Sequence, residues 1–173
     1  VIARTLAECG ANVTIADINF QAAKTTATEI EDDFGVGALP LKVDGSKQAD
    51  ADRMVARTVA KFGRVDILVN NAGLSFPVPF TELTDRDWNR MLAVNLTGTM
   101  RCSQAVIRQL IKQGEGGVVI NISSKSGVRG SSQLSHYCAT KFGVIGLAQS
   151  WAREFAKHGI RCCSVLPGNV FEG

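Results

Sequence analysis

Residues Val118–Lys141 read VVINISSKSGVRGSSQLSHYCATK: an apolar run interrupted only by Asn121, two hydroxyls at its end, a Gly/Ser-rich loop, then Tyr137 and Lys141 on a helix. An apolar run without in/out alternation marks a strand covered on both faces, as in parallel sheets. Residues four apart share one helical face, so the Lys141 ammonium can approach the edge of the Tyr137 ring. That charge favours the phenolate and is expected to lower a pKa that begins near ~10 in peptides. A tyrosine activated in this way takes a proton from an alcohol near neutral pH, as a general base should. A packed tyrosine beside a lysine reaching for solvent would show the same spacing, so the neighbours decide.

Working outward, a helix is expected over 135–158, stopped by Gly159, with a strand at 160–166 running into Pro167-Gly168. Upstream, a long helix over 85–113 begins with Thr84 as N-cap and Asp87 three residues on, a capping box, and Gly114–Gly117 breaks it. Earlier still come a strand at 65–69 entering Asn70-Asn71-Ala72-Gly73, a helix over 48–62, a strand at 39–43 ending near Asp44 and a helix over 21–34. Before these lie the strand Val13–Asp17 (VTIAD) and a helical stripe of Val1, Ile2, Leu6 and Ala7 closed by Gly10. Strand and helix alternate throughout, which predicts an α/β, doubly wound parallel sheet. Ligands bind such sheets outside the carboxyl ends of the strands. Asp17, Asp44, Asn71, Ser124 and Pro167 all stand at or just past a strand end.

The chain has 173 residues, 45% hydrophobic and 20% charged, which fits a single domain over 1–173. A net charge of +3 without a basic stripe excludes a nucleic-acid footprint. No apolar run approaches the ~20 residues of a membrane-spanning helix, and none reads as a signal peptide. The five cysteines lie in apolar segments without C-x-x-C spacing, so reduced, buried thiols in a cytoplasmic protein are expected, with no metal site.

Asp17 ends a strand where dinucleotide folds place a carboxylate against the adenosine ribose. A carboxylate there accepts from the 2′-OH and repels a 2′-phosphate, which favours NAD over NADP; a solvated strand-end aspartate is the plainer alternative. Asp44 meets the adenine amino group or caps the following helix. Gly73 lets backbone approach a ligand or merely makes a turn.

Asn71-Ala72-Gly73, Asn95, Ser124, Tyr137-x-x-x-Lys141 and Pro167-Gly168 stand in the order and spacing of the short-chain dehydrogenase/reductase family, which the chain resembles along essentially its whole length. The resemblance implies a Rossmann-type fold and a small-molecule substrate. It makes Tyr137 the general acid or base and gives Lys141 the tuning of Tyr137 and a grip on the nicotinamide ribose. Ser124 polarises the substrate oxygen, and Asn95 holds the water of a proton relay. Ser123 rivals Ser124, but the family spacing favours Ser124. NAD would be met by Asp17, Ile18, Asp44, Gly45, Asn71, Ala72, Gly73, Tyr137, Lys141, Pro167, Gly168 and the backbone at Val170. The stretch from SSKSG to PGNVFEG looks like the sorbitol-6-phosphate dehydrogenase branch, with Lys125 or Arg129 as candidate donors to a substrate phosphate. An NADPH-dependent 3-oxoacyl carrier-protein reductase and a non-catalytic binding protein of the same fold are the competing readings. The apolar arc of Val144, Leu147, Ala148, Trp151 and Phe155, with Ile145 beside it, points to a homodimer or homotetramer.

Against the family pattern, the first strand with its glycine-rich loop and the C-terminal elements are absent, and Glu172 stands where many members have a threonine. The strands at 13–17 and 65–69 are therefore expected to carry open edges, and the chain as it stands is expected to bind NAD weakly.

Overall fold

In each strand the β-branched and apolar residues run together, while each helix repeats small and apolar residues on one face, and the chain folds accordingly. A computed structural model describes residues 1–168; Val170 and Glu172 lie outside the described residues. The chain divides into two compact units, 1–65 and from 66 onward.

In the first unit, β1 (Val13–Asp17) pairs in parallel with β2 (Ala38–Lys42), Val13 opposite Ala38 and Asp17 opposite Lys42. Parallel neighbours need a crossover, which α2 (Phe20–Phe34) supplies. Asn19 caps α2 by accepting from the Ala22 N–H at 3.1 Å. Ala23, Ala27 and Ile30 form its buried face, and α1 (Ile2–Glu8) adds Ala7, so Ala7, Val13, Ala27, Ile30 and Ala38 make one core cluster. Full enclosure of a side chain such as Ile30 contributes roughly 2 kcal/mol. Helix α3 (Gln48–Phe62) buries Ala51, Met54 and Val55.

In the second unit, β3 (Ile67–Asn70), β4 (Gly117–Ile122) and β5 (Ile160–Val165) lie side by side in parallel, in that order. The link from β3 to β4 contains α4 (Asp85–Leu92), a π-helical turn (Ala93–Gly98) and α5 (Thr99–Gln113). The capping box forms as read: Thr84 accepts from the Asp87 N–H at 3.1 Å and donates to its carboxylate at 2.6 Å. Between β4 and β5 runs α6 (Ser135–Phe155), whose last turn tightens before Gly159 reverses the chain at φ 69°.

One polar rung crosses this apolar sheet. Asn70, Asn121 and Ser164 stand in register across β3, β4 and β5. The Asn70 amide donates to Asn121 Oδ1 and to Ser103 Oγ of α5, both at 2.9 Å, with Asn121 and Ser103 wholly buried. These bonds satisfy polar atoms that would otherwise be stranded among apolar neighbours.

Three expectations need correction. The helix over 85–113 is not uniformly α: six residues around Asn95 take the wider π geometry. The thiols are all free, but Cys9 and Cys163 are exposed. Cys9 follows the end of α1, and Cys163 sits on the outward side of β5, where Arg161 and Val165 are exposed too. That alternation means β5 is not covered on both faces within the described residues. Burial raises the Cys102 and Cys162 thiols to about 11, with Cys163 adding to the second, so both remain protonated. The open edges are present: β1 bonds only to β2, and β3 only to β4, among the described residues. No helix among them is long and apolar enough to cross a membrane, and no cluster of His, Cys, Asp or Glu could hold a metal ion.

Replacing Asn70 by Ala strands the Asn121 oxygen and the Ser103 hydroxyl. Urea unfolding of Asn70→Ala should show a loss of about 1–3 kcal/mol; a loss below about 0.5 kcal/mol would remove the rung from the account of stability.

Candidate active site

Two bonds fasten the end of β4 to α6 at one residue. Ser123 Oγ donates to the Lys141 carbonyl at 2.9 Å, and Lys141 Nζ donates to the Ile122 carbonyl at 2.7 Å. Gly127 closes over this join. A Cβ there would stand 2.5 Å from Ser123 Oγ and 2.8 Å from the Lys141 carbonyl, so no larger residue fits without displacement. The Ser123 hydroxyl is therefore committed inside the protein. Ser124 is only partly buried; its Oγ accepts from the Ser126 N–H at 3.1 Å, which leaves its own hydrogen free to donate. The backbone after β4 is tied to that after β5, with the Lys125 N–H bonding to the Pro167 carbonyl at 2.9 Å. Gly168 follows, exposed.

Lys141 is 95% buried, and burial lowers its pKa because the ammonium loses water. Its Nζ lies 5.7 Å from the centre of the Tyr137 ring, so the i, i+4 approach read from the sequence is realised. Asn95, from the π turn, has its amide fully used. Oδ1 accepts from the Leu74 N–H at 2.7 Å, while Nδ2 donates to the Leu74 carbonyl at 2.9 Å and reaches Thr140 Oγ1 at 3.3 Å. The π geometry widens the helix at this residue, a distortion that recurs at functional sites. Gly73 meets both partners: a Cβ there would touch Asn95 Oδ1 at 3.4 Å and Lys141 Nζ at 3.7 Å. Asn71, Ala72 and Gly73 are exposed beside it. Gly73, Asn95, Tyr137 and Lys141 thus form one group, with Ser124 just beyond β4.

Asp17, Ile18, Asp44 and Gly45 belong to the first unit. Asp17 is exposed at the end of β1 and accepts from the Asn19 N–H at 2.8 Å. Asp44 accepts from the Ser46 hydroxyl at 2.6 Å and from its N–H at 3.1 Å. The hydroxyl bond, then the N–H and Lys47, hold its carboxyl below the usual range. Its carboxylate closes the turn at Ser46 ahead of α3 but does not cap that helix, whose N-cap is Lys47 without a side-chain bond, so the capping alternative read from the sequence is not realised. Ile18 and Asp44 share a depression of about 310 Å³ with Lys42, Lys47, Asp50 and Arg53.

Each unit by itself offers groups suited to part of a nicotinamide dinucleotide. An exposed strand-end carboxylate suits ribose hydroxyls, and the flank of Gly73 is one that a side chain would fill. Sequence reasoning did not single out Gly127, Leu74, Thr140 or the Ile122 carbonyl, although all shape the group. Two of them act through backbone atoms, which carry no residue-type signal.

A family model described as short chain dehydrogenase matches residues 1–171. The chain is 43% identical over 173 residues to a sorbitol dehydrogenase of Cereibacter sphaeroides, covering 98% of this chain and 66% of that enzyme. Its fold superposes on a sorbitol-6-phosphate 2-dehydrogenase of Erwinia amylovora with TM-score 0.94 and 37% identity, covering 97% of this chain and 66% of the other. A gluconate 5-dehydrogenase of Burkholderia cenocepacia J2315, solved with NADP and tartrate, matches with TM-score 0.92 and 33% identity, covering 99% of this chain and 66% of the other. The chain thus spans about two thirds of the length of these relatives.

The depressed Lys141 pKa has a signed consequence. Between the folded value and the higher unfolded one, the unfolded chain holds more protons, so stability rises with pH through that window. Urea midpoints of wild type and Lys141→Met at pH 7 and pH 10 should show the wild type gaining on the variant at the higher pH. A constant difference would mean that burial does not disfavour the ammonium.

Proposed function

The chain belongs to the short-chain dehydrogenase/reductase family, and on that footing we propose that it interconverts an alcohol and a ketone, with a sugar alcohol or its phosphate as substrate and NAD as partner. NAD, when bound, supplies the hydride acceptor or donor. The observation that carries the reading is that Asn95 and Lys141 both meet the flank of Gly73, with the Tyr137 ring beside Lys141. In the oxidative direction Tyr137 oxygen receives the substrate's hydroxyl proton, and in the reductive direction it returns one. Lys141, held by the Ile122 carbonyl, places its charge beside that ring. Ser124 donates its free hydrogen to the substrate oxygen as charge develops there. Asn95 keeps the 71–74 segment in place through both amide atoms; a relay water on that segment would extend the proton path outward. Asp17, Ile18, Asp44, Gly45 and the backbone of 71–73 and 167–168 are the residues assigned to the dinucleotide, with Lys141 on the nicotinamide ribose.

The polyol assignment draws on similarity to the sorbitol and sorbitol-6-phosphate dehydrogenases and on the exposed Lys125 and Arg129 beyond Ser124. NADP is the second reading, favoured by Lys42, which stands in register with Asp17 and lines the depression with Ile18. A 2′-phosphate would meet repulsion from Asp17 and attraction from Lys42.

Turnover should be measured with NAD and NADP on sorbitol and sorbitol 6-phosphate, beside NADPH with a β-ketoacyl thioester. Oxidation of the polyols with NAD, lost by at least ~10³-fold in Tyr137→Phe, is the expected result; activity confined to the thioester would replace the substrate class. In the double variant Lys125→Ala, Arg129→Ala, KM for the phosphorylated polyol should rise about 10–100-fold, from the loss of charge-assisted bonds. Equal effects on both polyols would remove the phosphate assignment.

A further inference from the structure

The loop after Gly73 is gripped by aromatic contacts as well as hydrogen bonds. Asn95 holds Leu74 at both backbone atoms. Two residues on, the Phe76 ring has the Arg90 guanidinium 5.7 Å from its centre and the His136 imidazole edge-on, centroids 5.0 Å apart at 63°. Two further on, the Val78 N–H bonds to the Gln133 carbonyl at 2.8 Å. Gln133 takes a left-handed φ of 60° to present that carbonyl, a conformation a non-glycine residue adopts only when its surroundings impose it.

The partners of Phe76 are placed where chemistry depends on them. Arg90 lies on α4, which runs into the π turn that carries Asn95. His136 immediately precedes Tyr137 on α6. His136 is wholly buried, and neither ring nitrogen has a hydrogen-bond partner among the described residues. Its orientation is therefore set by packing, and Phe76 is the ring against it. A cation over an aromatic face and an edge-on aromatic pair both have preferred geometries, so the two contacts of Phe76 together fix a spacing that an aliphatic residue of similar size would leave loose.

We infer that Phe76, clasped by Arg90 and His136, is a positioning residue that sets the spacing between Asn95 and Tyr137. It touches neither reacting atom. It acts through the two helices that carry them, and a misplacement on the order of 1 Å at such a site costs up to ~100-fold in rate. This inference rests on the alcohol/ketone reading for its kinetic consequence but not for its structural one.

The test compares Phe76→Leu, which keeps bulk and removes the aromatic face, with Phe76→Tyr, which keeps the face. Expected are a fall in kcat of at least ~10-fold for Phe76→Leu, a KM for the dinucleotide unchanged within about twofold, and recovery of most of the kcat in Phe76→Tyr. An unchanged kcat in Phe76→Leu, or a Phe76→Tyr as slow as Phe76→Leu, overturns the inference. Because Tyr137 is the only tyrosine in the sequence, ring-labelled tyrosine gives one NMR signal that reports its surroundings without substrate. That signal should move in Phe76→Leu and also in Arg90→Gln, an exposed position that guards against a variant that fails to fold. If wild type turns over no alcohol or ketone, the functional reading fails by itself and the NMR signal decides: unmoved in both variants, it overturns the positioning role.

Discussion

A lysine ammonium enclosed at the end of a parallel strand must be hydrogen-bonded or it will be lost. Its desolvation is costly, and a carbonyl at close range is the compensation available. Lys141 finds that carbonyl on Ile122, 2.7 Å away, while its own carbonyl accepts from the neighbouring Ser123. The β4 end and α6 are thus cross-tied at one position, and most of the second unit's site follows. The join leaves no room for a side chain at Gly127, which brings the Gly/Ser loop over it. It also sets Tyr137 one turn back, within reach of the buried charge. Removing the lysine side chain would release the Ile122 carbonyl and take the charge from beside the ring, while the bond from Ser123 to the backbone carbonyl of residue 141 would remain.

The same logic explains the number of buried polar groups in this unit. Asn121, Ser103, Asn95, Thr140 and Ser123, with the partly buried Asn70 beside them, are not decoration on an apolar core. Each bonds another polar atom, and such bonds restrict the arrangements open to the unit, although Nδ2 of Asn121 and the Ser164 hydroxyl are buried without a partner among the described residues. Two of the bonds made by Asn95 run to backbone, so the amide cannot turn without releasing Leu74. Site geometry and fold stability are here carried by the same bonds.

Much of this was legible beforehand. Val13–Asp17 and Gln48–Phe62 have the bounds read from their residues, because VTIAD is a short β-branched run between turn residues and Gly63 ends an apolar helical stripe. Asp17, Asp44, Asn71 and Ser124 were found because they stand at or just past strand ends, whereas Asn121 and Ser164 lie inside β4 and β5 without breaking them. What stayed hidden has a common cause. The π turn at Asn95 is one case: Val94, Asn95, Thr97 and Gly98 are weak helix formers, but weak propensity does not say that the helix widens there rather than continuing or ending. Ser123 and Ser124 differ in role only because strand pleating sends successive side chains to opposite faces, and which face meets α6 is a tertiary fact. The exposure of Cys163 is another: it depends on what covers β5, which local pattern does not state. Residues 76, 90 and 136 carry no shared spacing, so their meeting is invisible until the loop is folded between the helices.

Buried bonding and exposed loop are divided along the chain in a way that bears on the proposed substrate choice. The groups assigned to proton transfer sit on α6 and the π turn, braced by buried bonds. Lys125, Arg129, Gly130 and Ser132 lie on the exposed loop between β4 and α6, braced at one end by Ser126 and Ser131, whose hydroxyls share a bond of 2.9 Å. A loop can change residues without disturbing a packed core, whereas any change at Gly127 or Ser123 strikes the lysine join directly. On the proposed assignments, chemistry on the join and recognition on the loop would allow one reaction to be kept while its substrate is exchanged, and the residues to read for substrate would be those between Lys125 and Leu134 and not the better-packed ones that flank them.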